Sequence, residues 1–324
     1  MMGGMQMRFV RWCAMLMATQ ALAMLPARAE QLKVAVGQRG NWDTSIAELG
    51  QRAGIFKKYD LELDLLYTSG GGETQQAVLS RSVDIGIAAG SLGALGAASK
   101  GAPIRIISAE MTGAPELYWY VPAASPIKTV QDLAGKTVGY STTGSSTNTV
   151  IMMAQAQYKV AFTPVATGGL PATYTQTMSG QIDVGWASAP FAIDALNDGK
   201  IRVIVRGRDI DAARDQTVRV NLVHAAILAS KHDAIERFMQ AYRETLDWMY
   251  SSPEAIPTFV KFSGVTTEIA TSMRDQYFPK TTLNPDRING IESLMTDGVT
   301  FKFLSAPLTA QQIKDVIQLQ APKR

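Results

Sequence analysis

Beyond residue 30 the apolar positions fall into short runs, "LKVAVG", "LELDLLY" and "VDIGIAAG", each leaving through a turn rich in glycine or hydroxyl residues into a segment with helical spacing. Runs of this length bounded by glycine read as buried strands, and the segments between them as helices. Strands that alternate with helices pair in parallel through right-handed crossovers, which makes the fold class α/β. The pattern restarts farther on, where "KTVGYSTTGSSTNTVIMM" again runs apolar strand, polar turn, helix.

Two segments of the chain resemble each other directly. "TSGGGETQQAVLSRSVDIG" from Thr68 aligns, at a constant offset of 99 residues, with "TGGLPATYTQTMSGQIDVG" from Thr167. The pairs Thr68 and Thr167, Thr74 and Thr173, Ser80 and Ser179, and Asp84 and Asp183 coincide. Each copy predicts strand end, glycine-rich turn, helix, tight turn and buried strand. Two copies at so long a spacing exclude a solenoid of short repeats and predict two similar α/β lobes. "ELYWYVPAAS" (116–125) and "VNLVHAAILAS" (220–230) are the strands expected at the passages between them. The chain then crosses near residue 119 and returns near 225. Lobe 1 comprises residues 30–118 with 226–324, and lobe 2 residues 119–225. Two connections of this kind form a hinge on which lobes close over a ligand.

From Asp233 the stripe Ile235, Phe238, Met239, Tyr242, Leu246 and Met249 predicts an amphipathic helix capped by Asp233. Further short helices follow. This C-terminal region reads as packing, with no chemistry of its own.

The first 29 residues change the charge balance. Arg8 and Arg11, the apolar run "WCAMLMATQALAML" and the small-x-small site Ala27-Arg28-Ala29 have the layout of a cleaved secretory signal peptide, and the run is too short to span a bilayer. Its removal takes Arg8, Arg11 and Arg28, so the 31 bases fall to 28, equal to the 28 acids. No basic patch points to nucleic acid. Cys13, the single cysteine, leaves as well, which excludes disulfides, a thiol nucleophile and a thiolate metal site from the mature chain. Cys13 follows "FVRW", not a lipobox, so the expectation is a free periplasmic protein.

Enzyme signatures fail one after another. Gly135-Lys136-Thr137 lacks the earlier P-loop glycine and precedes a strand. Gly90, Gly93 and Gly96 have helical spacing. Ser125 and Lys128 lack the partner motifs of an S-x-x-K enzyme. His224 and His232 are the only histidines, and neither belongs to an H-E-x-x-H motif. No cofactor and no metal ion is expected.

Strand ends, by contrast, are rich in groups that hold a polar ligand: "GQRGNWDTS", "TSGGGE", "AAGSLG", "YSTTGSSTNT" and "WASAP". Helix starts present unpaired N–H groups and the positive end of the dipole, and open α/β sheets bind ligands outside the carboxyl ends of their strands. The candidate site is therefore Arg39, Asn41, Trp42, Gly71, Gly72, Ser91, Thr143, Ser145, Ser146, Thr147 and Trp186. Gly71 and Gly72 would let a ligand approach the backbone, Arg39 would pair with a carboxylate or sulfonate, and Trp42 and Trp186 would stack on an organic portion. Any one hydroxyl among them also reads as a simple helix cap, and Trp186 as lobe packing.

"GIFKK", "VDIG", "KGAPI" and "IKTVQDLAGKTVG", in that order, resemble the substrate-binding proteins of the nitrate, sulfonate and taurine type that serve ABC importers, over most of residues 32–260. The resemblance implies a type II periplasmic binding fold, a small organic or inorganic anion held between the lobes, and delivery to a permease and its ATPase at the inner membrane; a small anionic organic solute and a monomer are the expectation. "GQRGNW" and "GWASAPF" depart from that pattern, so the solute is left open. An enzyme similar to the fungal-type thiamine pyrimidine synthase, which shares the fold, and a stand-alone sensor or scavenger are the alternatives.

Overall fold

A computed structural model describes residues 29–320. The leader therefore lies outside the described residues, apart from Ala29. The first sheet contains β1 (Glu30–Gly37), β2 (Leu61–Thr68), β3 (Ile85–Gly90), β4 (Ile104–Thr112) and β10 (Thr217–His224), in the order β2-β1-β3-β10-β4. β1 is parallel to β2 and β3, whereas β10 runs antiparallel to both β3 and β4.

The second sheet repeats this plan. β5 (Leu117–Pro122) lies antiparallel between β8 (Gly185–Ser188) and β9 (Ile201–Arg206). β6 (Thr137–Tyr140) pairs in parallel with β7 (Thr163–Ala166) and joins β8 through a parallel bridge between Val138 and Val184. The order is thus β7-β6-β8-β5-β9, the first sheet's order with β5 in the place of β10. The chain passes between sheets just before each of these antiparallel strands, after β4 and again after β9. "VNLVHAAILAS" is accordingly only half strand. β10 ends at His224, whose Nδ1 accepts a hydrogen bond from the Ala226 amide and caps the next helix.

The duplicated residues do the same work in both sheets. Thr68 and Thr74 share a hydroxyl hydrogen bond of 2.8 Å, and Thr167 and Thr173 one of 2.6 Å. Asp84 accepts the Lys33 amide of β1 at 2.9 Å, and Asp183 accepts the Thr137 amide of β6 at 2.8 Å. Each aspartate ties the turn before the third strand to the start of the first strand, and each threonine pair ties the second strand to the helix that follows it.

Both faces of the first sheet are covered, as a largely parallel sheet requires. Leu32, Val34 and Val36 of β1 pack with α1 (Ile46–Arg52), α10 (His232–Ser251) and α11 (Ala255–Ser263), while Ala35 and the other face pack with α4 (Ser91–Ser99), α13 (Ile291–Thr300) and α14 (Ala310–Val316). The whole predicted stripe from Ile235 to Met249 is buried in α10. Its predicted cap is not formed: Asp233 lies in the first turn and pairs with Arg237 four residues on. Trp119, Tyr120, Trp186 and Val150 belong to a separate core in the second lobe.

Candidate functional site

Two helices begin at the carboxyl ends of strands and point their first turns at the gap between the lobes. α3 (Gly71–Leu79) follows β2, and α5 (Ser146–Tyr158) follows β6. Together with Gly37, Gln38, Asn41, Thr44 and Ala88 on one side, and Ser141, Trp186 and Ser188 on the other, they enclose a cavity of about 20 Å³. That is room for little more than one water molecule. The lobes are thus drawn tightly together, and an organic solute would need them farther apart.

The second lobe's wall is a chain of hydroxyls. Thr147 Oγ1 accepts the Ser141 amide at 2.9 Å and bonds the Ser141 and Ser145 hydroxyls, each at 2.9 Å. Ser145 caps α5 by accepting the Asn148 amide at 3.2 Å. Capping and lining are therefore the same job here, since the cap stands on the cavity wall. Trp186 is buried, with one side on the cavity and its indole N–H donated to Thr167 Oγ1 at 3.2 Å. Across the gap, Asn41 Nδ2 donates to Ser188 Oγ at 3.0 Å, a bond between the lobes, while Asn41 Oδ1 has no partner.

Of the residues singled out from sequence, Asn41, Gly71, Ser145, Ser146, Thr147 and Trp186 come together on this cavity. The other five stand elsewhere. Trp42 is wholly buried in the first lobe's core, edge-on to Phe259 and Tyr250 at 5.1 and 5.9 Å, because the 3₁₀ turn after it rotates its ring inward. Arg39 is exposed and folds back along the surface, its guanidinium 4.4 Å from the Phe262 ring centre and bonded to the Phe262 carbonyl. Ser91 is buried at the start of α4, away from the cavity, and Thr143 is exposed beside Tyr140. Gly72 meets the other lobe, not a ligand: its amide donates to Thr142 Oγ1 at 3.0 Å.

The glycines make this contact possible. A Cβ at Gly72 would stand 2.2 Å from the Thr143 carbonyl oxygen, and one at Gly90 or Gly93 would stand 2.1 or 2.3 Å from that of Gly144. Their role is to let the Thr142–Ser145 turn of the second lobe seat against α3 and α4.

Arg219 of β10 is the residue that sequence reasoning missed. It is 6% exposed, lines the cavity, and bonds three carboxyl groups: Glu110 through Nε at 2.8 Å, Glu116 through Nη1 at 2.6 Å and Asp43 through Nη2 at 2.8 Å. Burial and the neighbouring Asp43 charge push Glu110 well above the ordinary carboxyl range against the pull of Arg219, and burial raises Glu116 as well. Desolvation pulls the guanidinium down, but the carboxyls around it outweigh that and raise it further. Its signal in sequence was a lone charge inside the apolar strand "TVRVNLVH".

Among the described residues no group of three or more His, Cys, Asp or Glu is placed to hold a metal ion. Neither histidine lines the cavity. No helix of the described residues is long and apolar enough to cross a membrane.

Two sheets of one plan, joined by paired crossings with a polar cavity between them, define a type II periplasmic binding protein fold. The comparisons agree. The alkanesulfonate-binding protein SsuA of Xanthomonas axonopodis pv. citri superposes with a TM-score of 0.74 at 16% identity, covering 89% of this chain and 97% of that one. The periplasmic aliphatic sulphonate-binding protein SsuA of Escherichia coli gives 0.66 at 21%, covering 91% and 95%. The periplasmic nitrate-binding protein NrtA of Synechocystis PCC 6803 gives 0.69 at 12%, covering 89% and 86%. No curated protein sequence matches the chain. Residues 45–256 match the family model described as NMT1/THI5 like, and the chain belongs to that family.

Proposed function

We propose that this protein is the solute-binding component of an ABC importer, working free in the periplasm as a monomer after its leader is removed. The lobes open on the paired crossings, after β4 and after β9, admit a small polar organic solute and close over it. The closed form then presents the solute to the permease and its ATPase. The observation that carries this reading is the cavity itself, walled from both lobes by helix starts and hydroxyls and too small to be entered while shut. The sequence led to a sulfonate- or carboxylate-like solute because of the helix starts. These are present, but among the described residues the one cation on the wall, Arg219, is already bonded to three carboxyls.

Thermal melting against a panel of small solutes of every charge class tests the proposal. A rise in Tm with a solute recovered chemically unchanged supports it. Conversion of that solute would overturn the non-enzymatic part in favour of the synthase-like alternative, and no rise with any solute would overturn the binding reading.

A further inference from the structure

Arg219 is the only charged side chain on the cavity wall among the described residues, and each of its three nitrogens is already bonded to a carboxyl. Its Nε–H is donated to Glu110, Nη1 to Glu116 with Ser146 Oγ 3.5 Å away, and Nη2 to Asp43 and the Met111 sulfur. Each of the three guanidinium nitrogens thus already has a carboxyl partner, so the paired fork that would grip a further carboxylate or sulfonate is engaged within the protein. Three carboxyl groups surround one cation, and all three are fully buried. In that setting charge is weakly screened, so the region behind the wall is not positive and does not attract an anion.

A second, separate observation concerns acceptors. Asn41 is 4% exposed and stands on the cavity wall with Oδ1 unpartnered. A buried acceptor without a donor is costly, and an anion brings only more acceptors. The starts of α3 and α5 supply the complementary groups, N–H donors for a ligand's acceptor.

We infer that the solute is an uncharged polar molecule that joins a carbonyl-type acceptor to N–H donors, of the carboxamide or urea class, with its acceptor toward the two helix starts and its N–H toward Asn41 Oδ1. Arg219 is then a structural cation that holds Asp43, Glu110 and Glu116 together, not a ligand receptor. This inference rests on the cleft being the solute site.

Titration calorimetry of the purified protein with matched pairs tests it: urea against nitrate, acetamide against acetate, and methanesulfonamide against methanesulfonate. The expected result is that the uncharged member of at least one pair binds at least about tenfold more tightly than its anion. An anion that binds as tightly as its neutral partner, or more tightly, overturns this inference and leaves the solute-binding reading standing. Binding by no member of any pair overturns both. For the neutral member that binds, Asn41→Ala is expected to weaken affinity by about tenfold with the melting transition retained, and unchanged affinity would remove Asn41 from the site.

Discussion

Holding one guanidinium among three fully buried carboxyls makes the Arg219 cluster sensitive to pH in a definite direction. Glu110 keeps its proton to higher pH in the folded protein than in the unfolded chain, because burial and Asp43 both disfavour its charge. The stability this gives is complete below the ordinary glutamate value of 4.5 and is lost as pH rises through the raised folded value. Glutamine mimics the protonated form and cannot ionise. Melting curves from about pH 4.5 to about pH 8 should therefore show the Tm of Glu110→Gln, relative to the parent, growing steadily more favourable as pH climbs. A pH-independent difference would mean that Glu110 does not hold its proton. Two of the five residues that sequence placed in the cleft and the structure places elsewhere separate just as cleanly. Trp42→Ala should cost about 3–5 kcal/mol of stability, as for other large core truncations, seen as a lower denaturant midpoint. Arg39→Ala should leave solute affinity unchanged in a titration, since its guanidinium lies on Phe262 at the surface. A weakening of about tenfold would return Arg39 to the site.

Helix starts and glycines shape the closed form more than any single side chain does. Gly93 lies inside α4, where alanine is the better helix former by about 1 kcal/mol, yet its Cβ would stand 2.3 Å from the Gly144 carbonyl oxygen of the other lobe. Gly93→Ala should therefore leave Tm unchanged or higher in the absence of solute while weakening solute binding about tenfold or more, because only the shut arrangement is penalised. Equal affinity for variant and parent would show that α4 and the Thr142–Ser145 turn do not meet when solute is bound. The strand-turn-helix units were legible in sequence because local spacing encodes them, and "SSTNT" correctly marked the capped start of α5 at Ser145. What a glycine faces is not local. Gly72 and Gly93 look like turn and helix residues in the sequence, and the backbone that fills the space beside them comes from about 50 to 70 residues farther along the chain. Trp42 misled for a related reason: Phe259 and Tyr250, the rings it packs against in the core, lie far along the chain.

The two lobes are built to one plan, and the duplication visible at an offset of 99 residues is the reason. Paired threonines and aspartates lock equivalent turns in each lobe. The strand that completes each sheet, β10 or β5, is entered directly from a crossing, which puts Glu116 and Arg219 close to the hinge as well as to the cavity. Arg219 stayed hidden in sequence because its partners, Asp43, Glu110 and Glu116, lie 103 to 176 residues away and no motif joins them. The measurement that bears most directly on the whole account is small-angle X-ray scattering of the solute-free protein, followed by titration with whichever uncharged probe binds. The account predicts a solute-free radius of gyration larger than that of the shut structure, falling toward the shut value as the site fills. A radius that already equals the shut value without solute, and does not change on saturation, would contradict the claim that the lobes open to admit a guest and close to hold it.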